Sequence, residues 1–244
     1  MPKLLVRQVK RKVSGQLYVS FSGGKDSTVL LHLVRSMYPD IPAIFVDTGL
    51  EYPEIKEFVK SVDNVTWLKP KMGFRQVIEK YGYPVPTKET AHAIYWARKG
   101  SKWALKKLND KDSFNYIGKW RNLFESKIPV AAECCNIMKK SSFKTYIKQE
   151  KRKAITGSLS EESNQRTAKW LINGCNNFNS KEPISNPLSF WIELDIWKYI
   201  RKFGLPYSKI YDMGYQRTGC MFCMFGCHLE GQPNRFQRMK ITVI

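Results

Sequence analysis

The stretch YVSFSGGKDSTVLLHLV, residues 18–34, limits this chain more than any other. Leu17 to Phe21 is short and rich in β-formers, as a buried strand requires. From Ser27 to Met37 the apolar residues Val29, Leu30, Leu33, Val34 and Met37 fall at helical spacing, so the segment reads strand, turn, helix. A turn made by Gly23 and Gly24 aims several N–H groups and the positive end of a helix dipole at one point. Ser22 and Ser27 add hydroxyls and Lys25 a full charge, a donor set that suits a chain of phosphates. Asp26 completes the run. The spacing is not G-x-x-x-x-G-K-[ST], which separates it from the common mononucleotide loop.

Strand-like runs at Leu17–Phe21, Ala43–Asp47, Val65–Leu68 and Ala154–Thr156 alternate with helical patterns such as Ser27–Met37 and Pro53–Val62. Such alternation predicts an α/β fold, a doubly wound parallel sheet in which ligands bind at the carboxyl ends of the strands. With 244 residues, 43% of them hydrophobic, the chain is long enough for one full core. No apolar run approaches the roughly 18–20 residues that span a bilayer, and MPKLLVRQVKRKVSGQ lacks the apolar core of a signal peptide. A cytoplasmic protein with no membrane partner is expected. Lysine and arginine number 41 against 21 acidic residues, a formal charge of +20, which favours polyanionic partners such as DNA or tRNA.

The run Ser22-Gly23-Gly24-Lys25-Asp26-Ser27 resembles the pyrophosphate (PP) loop of the adenine-nucleotide α-hydrolase superfamily, whose PP-loop ATP pyrophosphatases include relatives of this kind. Within that superfamily the chain is similar to the phosphoadenylyl-sulfate (PAPS) and adenylyl-sulfate (APS) reductase family. The likeness continues at FVDTGLEYPE (45–54) and returns at ECCNIMKK, ITGSLSEESNQR and GYQRTGCMFC, in the family's order. It implies a single PAPS-reductase-like domain over residues 1–244. Two parts stand out within it: a basic, aromatic helical excursion at 90–127 and a cysteine-bearing C-terminal segment at 205–244. The excursion carries Trp96, Trp103 and Trp120 among many lysines. These aromatics pack on the core beneath solvated lysines, or form a face on which bases stack.

The resemblance implies that Ser22, Gly23, Gly24, Lys25, Asp26 and Ser27 cradle phosphate or sulfate, and that the segment from Asp47 and Thr48 lines the nucleoside pocket. Asp26 and Glu51 are candidates to position Mg²⁺. Gly157 and Arg166 follow the strand-like run at Ala154–Thr156. The family usually has an arginine two residues after this glycine, where Leu159 stands here, so either the anion handled differs from the family's or its grip falls to Arg166, Lys139 or Lys140. Lys25 and Asp47 are the catalytic candidates at the nucleotide.

Cys134-Cys135 and the C-x-x-C of Cys220 and Cys223 form the second constellation. Adjacent side chains diverge and rarely serve one tetrahedral ion, whereas a cuboidal cluster offers each thiolate its own iron corner. The same pattern in the APS reductase branch ligates a [4Fe–4S] cluster. Structural zinc and unliganded thiols are the other readings. Cys227, beside His228, is either a nucleophile or sulfur carrier or a buried thiol; Cys175 has no assigned part. The family's Glu-Cys-Gly-(Leu/Ile)-His motif, whose cysteine attacks sulfur, is not among these residues. Cys227-His228 echoes it only in part.

The expected function is therefore adenylylating chemistry on ATP in sulfur transfer to a nucleic acid, with a sulfur-donor protein as partner. The alternatives are a thioredoxin-dependent APS or PAPS reductase, and a non-catalytic, nucleotide-gated component that binds nucleic acid.

Overall fold

The computed structural model describes residues 1–12, 16–178 and 183–242. Contacts divide the chain into two compact units. The first holds Met1–Asp47, Glu51–Lys69 and Ser142–Gly219; the second holds Thr48–Leu50, Pro70–Ser141 and Cys220–Ile244.

The first unit is an α/β layer structure. Its strands are β1 (Leu17–Ser20), β2 (Ala43–Val46), β3 (Val65–Leu68), β4 (Lys153–Thr156), β5 (Asn176–Asn177) and β6 (Ile184–Ser185). They form one sheet in the order β3-β2-β1-β4-β6-β5. All neighbours run parallel except β5, which is antiparallel to β6. Leu17, Tyr18 and Val19 of β1 and all of β2 are buried, as central parallel strands covered on both faces must be. β3, at the edge, is only partly covered. The Lys25–Arg35 helix follows β1 directly and buries Val29, Leu30, Leu33 and Val34, each contributing about 1.5–3 kcal/mol of burial free energy. The Pro53–Lys60 helix starts on a proline and buries Ile55, Phe58 and Val59.

The chain leaves β1 toward β2 and β3 on one side, while β4 and β6 extend the sheet on the other. Between β1 and β4 the strand order reverses. A crevice opens outside the carboxyl ends of the strands at such a switch point. Ser20 pairs with Thr156 there, so the turns after the two strands emerge side by side.

The second unit is helical. Its helices are Phe74–Tyr81, Lys88–Arg98, Lys102–Asn109, Arg121–Glu125 and Arg235–Thr242, with a π-helical turn at Asn136–Lys140. Ala91, Ala93, Ile94, Leu108, Ile117, Val130 and Ala132 form its core, against which Phe225 packs. Phe225 of the cysteine-bearing segment thus packs on the same core as the excursion. Arg98 holds the unit together from within, donating to the carbonyls of Leu123, Phe124, Ser126 and Ile128. Among the described residues no helix is long and apolar enough to cross a membrane.

Candidate functional site

The turn after β1 is built as its residue types require. Gly23 has φ +72°, and a Cβ there would lie 2.7 Å from Val59 Cγ2, so glycine alone fits. Gly24 precedes the Lys25–Arg35 helix in extended geometry, and a Cβ on it would lie 2.7 Å from Thr218 Oγ1. Hydroxyls hold the loop's donors. Ser27 Oγ accepts from the Ser22 N–H at 3.2 Å, Ser22 Oγ from the Gly24 N–H at 3.3 Å, and the Tyr211 hydroxyl from the Lys25 N–H at 2.8 Å. At Gly157, after β4, a Cβ would come within 3.0 Å of the Asp26 carbonyl, so this glycine permits the close approach of the two turns.

These turns border a cavity of about 910 Å³. Ser22, Gly24, Lys25, Asp26 and Ser27 line it from one side, Gly157 and Arg166 from the other. Glu193, Tyr211, Gln216, Arg217 and Thr218 complete it, and none of these was singled out from the sequence. Gln216, Arg217 and Thr218 lie within the GYQRTG motif. Glu193 and Tyr211 have no local signal, because only the tertiary fold brings them to the loop.

Lys25 is almost completely buried, and its Nζ sits 3.1 Å from Glu193 Oε1 and 3.1 Å from the Gln216 carbonyl. A buried ammonium is retained only when so paired. Asp26 lies beside it with Oδ1 buried and without a hydrogen-bond partner. Burial raises its carboxyl above the ordinary range, partly offset by Lys25 and more weakly by Arg166. Arg166 forms an ion pair with Glu162; burial and the neighbouring Arg217 lower it, with Asp26 opposing. Burial pushes the Tyr211 hydroxyl up to about 12, which keeps it a neutral hydrogen-bonding group. The crevice can thus present two arginines, a lysine and backbone N–H groups to an anion, and an orphaned carboxylate oxygen to a cation.

Asp47 is not among the cavity's lining residues; its Oδ1 is 2.9 Å from Lys56 Nζ. Glu51, on the same unit, is buried. Thr48 belongs to the second unit, with its hydroxyl 4.0 Å from Cys220 Sγ.

In the second unit the structure gathers Cys134, Cys135, Cys220 and Cys223, all half-buried. Cys134 and Cys220 pack with Leu50, Val77 and Met138. Burial pushes the Cys134 thiol up to about 12, and Cys135, Cys220 and Cys223 each add to the rise while Lys139 opposes it. Burial likewise raises Cys223, with Arg235 and Lys139 acting the other way. Among the described residues no three His, Cys, Asp or Glu side chains converge tightly enough to hold a metal ion. In type and number the four thiols suit an iron–sulfur cluster, which spreads its ligands over separate corners. The π-helical turn that follows the vicinal pair widens the backbone there, a feature frequent at functional sites. Cys227, also half-buried, opens a short turn that includes His228, whose ring meets Trp120 edge-on at 5.1 Å.

The phosphoadenosine phosphosulfate reductase domain matches residues 16–109 and 85–225. An uncharacterised protein of Methanocaldococcus jannaschii is 30% identical over 217 residues, which are 86% of this chain and 42% of that protein. A second one from the same organism is 25% identical, with 38% of its length matched, so the chain spans about two fifths of these two relatives. An adenosine 5′-phosphosulfate reductase of Bacillus cereus (strain Q1) is 26% identical over 87% of this chain and 75% of its own length. Among solved structures, PAPS reductase from Candida auris superposes with a TM-score of 0.56 at 17% identity, covering 90% of this chain and 87% of that one. Candida glabrata FMN adenylyltransferase in complex with ATP gives 0.52 at 14% identity, over 90% and 58%. At such identities both likenesses concern the fold alone. Matched along most of its length, the chain belongs to the phosphoadenosine phosphosulfate reductase family, within the adenine-nucleotide α-hydrolase superfamily.

Proposed function

We propose that the chain binds ATP, or another adenylyl nucleotide, in the cavity at the switch point, and that ATP is cleaved there between its α and β phosphates. The observation that carries this reading is the Ser22–Ser27 turn, with buried Lys25 at the helix N-terminus, opening into a crevice that Arg166 and Arg217 also line. An acceptor nucleophile forms the new bond to the α phosphorus while the bond to the bridging oxygen breaks, so pyrophosphate leaves. Lys25, the N–H groups of the turn, and Ser22 and Ser27 hold the departing charge. Asp26, with its orphaned oxygen, is the candidate ligand for Mg²⁺, which when bound spreads the charge of the phosphates. Asp47 is proposed to serve the nucleoside side.

The acceptor is proposed to be a nucleic acid that then exchanges AMP for sulfur. Cys227 is the candidate carrier and a donor protein the source. Cys134, Cys135, Cys220 and Cys223 would hold a [4Fe–4S] cluster, which when bound supplies a soft iron corner for sulfur or electrons. A second reading, sulfonucleotide reduction with Cys227 and thioredoxin, is favoured by the match to the Bacillus cereus reductase over most of both chains. Incubation with labelled ATP, APS and PAPS, with DNA or tRNA present, tests the pair. Pyrophosphate supports the first reading, and sulfite with AMP the second. Binding of ATP and nucleic acid without turnover would overturn both and leave a nucleotide-gated binding component.

A further inference from the structure

The Lys88–Arg98 helix of the second unit has two stripes where a surface helix ordinarily has one. Ala91, Ile94 and Ala97 point into the core, as amphipathic spacing demands. The opposite stripe, His92, Tyr95, Trp96 and Lys99, also falls at i, i+3, i+4 and i+7, yet it is aromatic and exposed. Trp103 on the Lys102–Asn109 helix extends it, its ring 5.7 Å from that of His92 and nearly parallel at 26°. Trp96 Nε1 donates to His92 Nε2 at 3.0 Å, which fixes the indole in place. Tyr95, Trp96 and Trp103 remain 40%, 40% and 44% exposed.

Cations surround these rings. Lys99 Nζ stands 4.5 Å from the Tyr95 ring centroid and 5.8 Å from that of Trp96, and Lys107 Nζ 5.6 Å from Trp103. Lys102 and Lys106 are exposed on the same helix pair, whose only acidic residue from 88 to 109 is Glu89. Protein–protein interfaces enrich aromatics but deplete lysine at their centres. Flat rings flanked by lysines instead match what single-stranded nucleic acid requires, a π-face for each base and a positive charge for each phosphate.

We propose that Tyr95, Trp96 and Trp103, with Lys99, Lys102 and Lys107, form a stacking surface for single-stranded nucleic acid. The inference takes its ligand class from the nucleic-acid acceptor proposed above, and it adds where and in what form that acceptor is held.

The test is fluorescence anisotropy on the purified chain. The probes are labelled oligodeoxythymidylate and oligouridylate of about 16 nucleotides, a duplex of equal length, and heparin as a polyanion without bases. Single strands should bind more tightly than duplex. Trp96→Ala combined with Trp103→Ala should weaken single-strand binding roughly tenfold or more, with heparin and ATP affinities little changed. Lys99→Glu with Lys102→Glu, which alters no packed ring, should weaken it too and flatten its salt dependence. Single-strand affinity within twofold of the parent in both variants would overturn this surface while leaving a nucleic-acid acceptor in place. Equal losses for heparin, or a change from dimer to monomer in the tryptophan variant, would also overturn it, the latter assigning the face to a second copy of the chain. No oligonucleotide binding even at low salt would remove the acceptor as well.

Discussion

The cavity of the sheet unit and the thiol group of the helical unit handle charge in opposite ways. In the cavity Lys25 and Arg166 each already have a carboxylate, Glu193 and Glu162, and hydroxyls hold the loop's donors. Among the thiols nothing balances a charge: burial, with Cys135, Cys220 and Cys223 adding to it, keeps Cys134 protonated. A site that balances itself can fold before its ligand arrives. A thiol held protonated becomes a ligand only when a metal ion or cluster displaces its proton, so a group bound there would add its binding free energy to the fold.

The largest effect should therefore come from the thiols. Anaerobically purified protein is expected to be brown, with iron and acid-labile sulfide each about four per chain. Cys220→Ser with Cys223→Ser should lose both and melt the helical unit several kcal/mol more easily, read by metal analysis and circular dichroism. Zinc at about one per chain without sulfide would instead assign a tetrahedral site and break the contrast.

Lys25→Ala should come next. Charge-assisted contacts contribute about 1.5–3 kcal/mol, so ATP affinity should fall roughly 10- to 150-fold in calorimetric titration while the visible absorbance stays the same. Unchanged affinity would remove the turn from the nucleotide site. Glu193→Gln should act in the other direction. With its carboxylate gone, Lys25 no longer exchanges partners on binding, and ATP affinity without Mg²⁺ should rise about threefold. The gain should vanish in a Lys25→Ala background, a double-mutant cycle that isolates the ion pair.

The smallest effect concerns the C-terminal segment of the helical unit. Burial alone would raise the Glu230 carboxyl, but hydrogen bonds and charge from Arg235 outweigh it and hold it below the usual carboxylate range. A carboxyl depressed in the fold stabilises above its unfolded value and loses that contribution as pH falls through the folded one. Glu230→Gln should thus cost about 0.5–1 kcal/mol at neutral pH and nothing below the depressed value. Melting curves of parent and variant, separate at pH 7, should merge in acid.

How far the fold could be read in advance depended on which forces set each element. β1 to β4 and the helices after β1 and β2 lie within a few residues of their expected spans, because continuous apolar runs and helical periodicity are local signals. β5 and β6, an Asn-Asn and an Ile-Ser pair, carry no period and exist only because β4 offers an edge. The site divides in the same way. The Ser22–Ser27 turn and Gly157 directly follow strands, and Ser22, Gly24, Lys25, Asp26, Ser27 and Gly157 line the cavity together with Arg166 from the Asn164–Asn173 helix. Glu193 and Tyr211 reach it through long-range packing that no spacing announces. Asp47 was expected beside the nucleotide from its place after a strand, and its carboxylate lies with Lys56.

The pairing of Lys25 with Glu193 also bears on what the crevice ignores. A small anion such as inorganic phosphate or sulfate would have to take the lysine from a carboxylate already 3.1 Å away, trading one counter-ion for another with little net gain. A triphosphate, if bound as proposed, would reach the lysine, the helix N-terminus and the serine hydroxyls together, so several new contacts would compensate for the one displaced. On the nucleotide reading proposed above, the carboxylate would act as a resident competitor at Lys25, and the crevice would favour anions that carry several phosphates over single ones.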